Sequence, residues 1–491
     1  MPDFGFVGGA YEAANLLQDN QKLINWFVET DQNQGAKTPM ALLGCPGLVD
    51  LGQSVYTGEV RDLWPLPGGT QAIVVVGSKV LLMTVATPAT ATSRATFSYA
   101  LLGTLSSSSG QVCTRDTGAG RVVAIVDGTN LYSYSFITNT FRTISDPAFL
   151  GSYRIAEIDG WLIFAKPSSQ TFYVAPNYWD GASALDATYF ALKDNFSDNI
   201  VAHIEQNREI WLVGESTTEV WSNAGGNYFP FQRQQGVLLQ VGCAATNSLC
   251  RYGSGLIWLG RSERGGVAVV MTKGYEWEPV RNPAFSYALS KYPVISDAIG
   301  YIYTEDSHEF YVLTFPTANV TWVLDLTTGL WHQRASYGAV TGRHRSNCQM
   351  AFQGMQIVGD AANGKVWWMT RTAYTEGSDY IVCLRRTPHV WDRSDRKRVR
   401  HNRLQIEFVQ GDALPTGQGS DPQAMLRFSN DGGRTWGNEH WSSIGKIGET
   451  KNRCIWRRLG IARDRVYEVR FSDPVKRDIV GASLIAEELG A

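Results

Sequence analysis

Near the C-terminus the chain reads RFSNDGGRTWGNEHW, in which Ser429, Asp431, Gly433, Thr435 and Trp436 stand at the spacing S-x-D-x-G-x-T-W. In such a stretch the aspartate can accept N–H groups of its own turn, the glycines give the backbone freedom, and the indole packs beneath a hairpin. None of these roles is acid–base or nucleophilic chemistry, so the box is expected to be a structural turn. Other chemistries lack their residues. No G-x-x-x-x-G-K-[ST] is present to wrap phosphates and no H-E-x-x-H to hold zinc. Tyr252 stands where a nucleophile elbow around Ser254 needs glycine. The histidines are scattered, with His389 and His401 twelve apart. Glu305/Asp306 and Glu487/Glu488 are adjacent pairs, and strand neighbours point to opposite faces. Cys45, Cys113, Cys243, Cys250, Cys348, Cys383 and Cys454 are odd in number and form no C-x-x-C, which predicts reduced, mostly buried thiols. No catalytic residue, cofactor or metal is expected.

The box also occurs in sialidases and other β-propellers, so a glycan-binding or glycan-cleaving propeller is the alternative reading. The sixteen Trp, which could stack on sugars, favour it. Sialidases carry several boxes; one good copy is found here. Their Arg-Ile-Pro motif is met only by Arg154-Ile155-Ala156, with Ala in place of Pro and well inside the chain. Their Tyr–Glu pair and arginine triad cannot be assigned.

Charge divides the chain. Residues 381–491 hold 20 Lys+Arg against 14 Asp+Glu, a balance of +6; the remainder holds 24 against 32, a balance of −8. The run RRTPHVWDRSDRKRVRHNR supplies Arg385, Arg386, Arg396, Lys397, Arg398, Arg400 and Arg403 as candidate partner contacts. Clustered cations displace counterions from phosphates. However, Asp392 and Asp395 interrupt the run, and only Trp391 could stack on a base. Contact with DNA, contact with an acidic protein and a solvated loop all remain open.

The elements that must position these residues are strands. A chain of 491 residues exceeds one ordinary core. Its 12% aromatic content and 49 Gly suit pleated surfaces and tight turns. Strand–turn–strand units begin at Ala72, Arg121, Trp161, Glu209, Gly255, Glu309 and Met355. Spacings of 40 to 54 residues between these starts are the mark of a propeller, whose sheets bury their faces against each other. The expected fold is all-β: a β-propeller-like repeat domain of six or seven blades over 51–375, with irregular sandwiches as the runner-up. Residues 376–491 form a small basic C-terminal β-domain with the box, in which RLQIEFVQ, MLRFSND and RVYEVRFSD are strands and ASLIAEEL is a strand or short helix. Residues 1–50 form an N-terminal arm, where Leu16, Leu17, Leu23, Ile24 and Phe27 suggest a short helix before a strand. No basic segment precedes an apolar run, so no signal peptide is expected. The longest apolar runs are of strand length, so no membrane anchor is expected.

Both ends resemble tail-hub proteins of short-tailed bacteriophages, also called packaged-DNA-stabilisation or nozzle proteins. Asn25, Trp26, Glu29, Lys37, Thr38, Pro39, Pro46, Gly47 and Leu48 match their opening pattern. The stretch from Ser429 to Ala482 is similar to the C-terminal region of phage tail proteins, with its box turn and WRRLGIARDRVYEVRFSDP strand pair. The centre matches in period and hairpin style. The resemblance implies a virion protein that is not an enzyme, assembled in the bacterial host cytoplasm. It implies a ring of six subunits carrying a DNA exit channel. It also implies contacts with a portal or adaptor protein and with needle, fibre or spike proteins, and transient passage of double-stranded DNA without sequence-specific binding. A propeller zone of −8 would repel a sliding duplex weakly, while the +6 domain would meet an acidic partner ring or its own neighbour.

Overall fold

The computed structural model describes residues 5–31, 37–90, 93–118, 121–226, 228–392 and 395–489. Strands dominate, and they sort into seven radial sheets and a sandwich.

Blade one is Val60–Pro65, Gln71–Val76, Lys79–Thr87 and Thr96–Thr104, from the centre outward. Blade two is Cys113–Asp116, Val122–Val126, Leu131–Ser135 and Thr140–Ile144. Blade three is Ala156–Ile158, Trp161–Ala165, Thr171–Val174 and Phe190–Leu192, and blade four is Ile200–Gln206, Glu209–Gly214, Thr218–Asn223 and Phe231–Leu239. In blade five the short strands Gly242–Cys243 and Cys250–Tyr252 share the inner position beside Gly255–Arg261, Val267–Lys273 and Glu276–Pro279. Blade six is Ile299–Glu305, His308–Phe315, Val320–Asp325 and Trp331–Arg334. Blade seven takes Ser346–Phe352, Met355–Asp360 and Val366–Thr370 from late in the chain, and its fourth strand, Gly47–Asp50, from the N-terminal region. Inner strands touch in succession around the circle, and blade seven packs on blade one.

All seven hairpins expected from the sequence are the second and third strands of their blades. Those strands read as continuous apolar runs because both faces are covered by neighbouring blades. In Gln71–Val76, Ile73 and Val75 face blade two, while Ala72, Val74 and Val76 face blade seven. Inner and outer strands carry more polar residues, which hides them in the sequence.

The remaining strands form a two-sheet sandwich. One sheet runs Asn20–Ile24, Cys383–Arg386, Asp464–Phe471, Gln423–Ser429, His440–Ser443; the other runs Trp26–Thr30, Met40–Gly44, Ile479–Glu488, Val399–Phe408, Cys454–Arg457. The open alternative for ASLIAEEL resolves as the strand Ile479–Glu488. The expected N-terminal helix is not formed. Leu16 and Leu17 lie in a turn, and Leu23, Ile24 and Phe27 are buried in strands, where pairing with distant segments overrides local periodicity. The first fifty residues therefore supply strands to both the sandwich and the propeller. The one α-helix among the described residues, Pro283–Ser290, links blades five and six; Asn282 caps it and Phe285 stacks on Trp331 at 4.4 Å. All seven cysteines are free, five of them buried.

Candidate assembly surfaces and the joint between domains

The box turn closes on itself. The Asp431 carboxylate accepts the N–H of Arg434 and of Thr435 at 2.9 Å, and the hydroxyls of Ser429 and Thr435 at 2.6 Å. These bonds hold its pKa well below the usual carboxylate range. Asn20 donates to the Gly432 carbonyl at 2.8 Å, which ties the turn to the N-terminal strand. Both glycines have positive φ; a methyl on Gly433 would meet Asn20 at 2.2 Å. The Trp436 ring lies near two guanidinium groups, Arg386 at 4.7 Å and Arg427 at 4.8 Å. Both arginines pair with Glu468, as does Arg470. Glu468 is fully buried. Burial pushes its pKa up, but the three arginines outweigh burial and keep it low.

The basic run divides. Arg385, offered by the sequence as a partner contact, is fully buried and donates to the carbonyls of Phe6 at 2.6 Å and Gly9 at 3.2 Å and to Gln21 at 2.7 Å. Burial pulls its pKa down to about 9. Arg386 is engaged by Glu468 and by Asn20 at 2.7 Å. Both residues hold the N-terminal segment, and Arg385, being fully buried, is not available to a partner. Arg396, Arg398 and Arg400 are exposed; Lys397 is half-buried and pairs with Asp395 at 3.1 Å. Arg403 is half-buried on the strand Val399–Phe408. Position 393 of the run lies outside the described residues.

Sequence reasoning missed the joint between sandwich and propeller, although the matched N-terminal residues build it. Asn25, with φ of 57°, switches the chain from one sheet to the other; its side chain donates to the carbonyls of Ala335 at 2.9 Å and Val382 at 2.8 Å. The Trp26 indole donates to the Arg477 carbonyl at 2.9 Å. Glu29 reaches His308 of blade six at 2.8 Å, and the other ring nitrogen of His308 meets Asp325 at 2.8 Å. The bond to Asp325, more than the one to Glu29, raises the His308 pKa against the effect of burial. Buried Arg334 donates to the Pro46 carbonyl at 2.7 Å, and Arg477 to that of Cys45 at 2.6 Å. The signal in the sequence was the lone Asn between two apolar strand runs.

At the propeller's centre the inner strands surround a cavity of about 290 Å³, lined by Asp62, Arg115, Arg154, Arg251 and Tyr301 among others. That is small-molecule size, whereas one groove of duplex DNA is about 12 Å wide. Arg154, considered above as a remnant of a sialidase motif, donates to the carbonyls of Thr246 at 3.0 Å and Leu249 at 3.2 Å. Arg251 lies 3.2 Å from Glu205, and Arg115 lies 3.9 Å from the same carboxylate. The Tyr301 hydroxyl bonds to Ser346 at 2.7 Å. The arginines are thus already matched by acceptors of the chain itself. Among the described residues no cluster of three or more His, Cys, Asp or Glu is placed to hold a metal ion.

Two family models match the chain: bacteriophage P22 Gp10, β-propeller, over residues 90–374, and bacteriophage P22 Gp10, β-sandwich, over residues 384–487. No curated protein matches it. Similar solved structures include a chain of the mitotic checkpoint complex and the Pan2 WD40 domain of Neurospora crassa. The first is 12% identical at a TM-score of 0.39 and covers 69% of this chain and 98% of that one. The second is 10% identical at a TM-score of 0.40 and covers 66% of this chain and 94% of that one. With a seven-bladed propeller and a sandwich each matched in place, the chain belongs to the bacteriophage P22 Gp10 family of tail-hub proteins that stabilise packaged DNA.

Proposed function

We propose that this chain is a structural subunit of a tail-hub ring, six copies around a DNA exit channel, and that it performs no catalysis. The hub joins the portal or adaptor protein to needle, fibre or spike proteins and holds packaged DNA in place. Residues 51–375 and 376–491 act as the two working units, with the strands of residues 1–50 shared between them. One observation carries this reading: the family match spans both domains, while the propeller's own hole is a 290 Å³ cavity crossed by arginine–acceptor bonds. A duplex cannot pass there, so the passage lies between copies. A ring of such chains presents a weakly acidic propeller to the duplex and does not hold its phosphates.

Negative-stain images of the chain assembled with the remaining tail proteins test this. Closed rings with a central hole wider than a duplex are expected. Tails in which the chain occurs as single, non-encircling copies would overturn it, and so would turnover of sialosides or capsular sugars by the purified chain.

A further inference from the structure

The two ends of the molecule complement each other. In both sandwich sheets the strands lying furthest from the propeller are Cys454–Arg457 and His440–Ser443, and each ends its sheet. This distal edge exposes Trp441 at 62% together with Arg453, Arg457 and Arg458. Arg457 stands directly opposite Arg403 in the strand register, where like charges repel. The Nε of Arg403 is buried without a hydrogen-bond partner. Among the described residues no ion pair engages Arg403, Arg453, Arg457 or Arg458.

Blade three lies across the circle from blades six and seven, which carry the sandwich. Its outermost strand, Phe190–Leu192, ends a four-stranded sheet and leaves Phe190 49% and Leu192 44% exposed. Asp180 and Asp186 lie in the connection that leads into it, both exposed, each bonded within its own turn and neither paired with a cation among the described residues. The nearest cation in sequence, Lys193, is buried against Asp198.

We propose that the distal sandwich edge of one copy seats on the outer edge of blade three of the next copy, with Trp441 against Phe190 and Leu192 and the arginines against Asp180 and Asp186. This rests on the ring reading above. A head-to-tail contact between two different patches is the kind that closes into a ring when its rotation allows. It covers the outer strand edge of blade three, of the kind that is otherwise a site of uncontrolled pairing. Each charged patch finds its complement on the same chain, which favours a second copy over DNA or an acidic stranger as occupant.

Charge reversal in both directions tests the contact. One variant carries Arg453→Glu, Arg457→Glu and Arg458→Glu; the other carries Asp180→Lys and Asp186→Lys; each is expressed with the remaining tail proteins. Each alone should lower the yield of rings at least tenfold, and mixing the two within one chain should restore it to within about threefold. A second arm places Leu192→Cys and Trp441→Cys in one chain, where mild oxidation should give a covalent ladder of copies; this arm decides if a reversed variant fails to fold. Parental ring yield from either reversal, or no ladder, overturns the contact while the hub reading stands. Loss with the arginine set alone, unrelieved by the aspartate set, overturns it in favour of DNA or another protein. If the parental chain forms no ring at all, the hub reading falls with it.

Discussion

At the scale of single residues, the chemistry-bearing side chains are spent on the chain itself. Glu468 is the clearest case, a fully buried carboxylate shared by Arg386, Arg427 and Arg470. Breaking a buried ion pair from one side leaves uncompensated charge and costs about 3–5 kcal/mol. Glu468→Ala is therefore expected to lower the unfolding free energy by about that amount in denaturant titrations. A variant within about 0.5 kcal/mol of the parent would show that the arginines find other partners. Asp431→Ala, by contrast, should loosen one turn. We expect faster proteolysis between residues 429 and 437 and a lower melting temperature, with no reaction lost, because Asp431 serves four donors of its own turn and faces no cleft. Unchanged protease resistance would remove that role. The box was legible from its letters alone. The burial of Arg385 was not, because a run of cations does not say which members face inward; that depends on carbonyls 379 and 376 residues away, at Phe6 and Gly9.

At the scale of elements, the N-terminal strands decide whether the circle closes. Gly47–Asp50 pairs with Val366–Thr370 and completes blade seven, as the last strand of a belt fastened to its first. Gly47 sits so close to the following segment that a methyl group would lie 2.4 Å from the Ala373 carbonyl oxygen and 2.5 Å from that of Thr375. Backbone atoms cannot yield as a side-chain tip can. Gly47→Ala should cost at least the ~1–3 kcal/mol of overpacking, and it should expose blade seven to hydrogen exchange ahead of the other blades. Uniform exchange across all seven blades would contradict this. The repeat period was readable because the second and third strands of each blade are apolar on both faces. The sandwich was only half readable: its strands were found, but their sharing with residues 20–44 was not, since no local signal marks a partner more than 350 residues away. The helix Pro283–Ser290 could have been found from Asn282-Pro283, an N-cap followed by proline at the first helical position.

At the scale of the whole molecule, buried histidines set a lower limit of pH. His203, His332 and His401 are buried with pKa lowered to about 3, and His344 with pKa lowered to about 4; burial is the main cause, reinforced by Arg154 for His203, by Arg334 for His332 and His344, and by Arg465 for His401. Such groups stay neutral in the fold, while the unfolded chain takes up a proton below about pH 6.5. Stability therefore falls as pH drops below 6.5, by up to about 1.4 kcal/mol per pH unit for each, until the folded pKa is reached. His308 and His389 have raised values, through Asp325 and Asp464 respectively, and act in the opposite sense. Their contribution is complete below about pH 6.5 and is lost as pH rises through their folded values, so it cannot rescue the acid side. The chain should thus lose roughly 7 kcal/mol between pH 7 and pH 5 from the four buried neutral rings alone. The Nε2–H of His203 donates a single bond to the Ile163 carbonyl at 3.2 Å, which an amide N–H can reproduce. His203→Gln should therefore flatten the slope of stability between pH 6.5 and pH 5 by about one quarter of the histidine contribution, with little change in slope above pH 7. The slope is read from urea midpoints at half-unit intervals. A variant whose acid slope equals the parent's would mean that His203 is protonated in the folded chain, and the neutral, arginine-flanked interior between blades three and four would have to be redrawn.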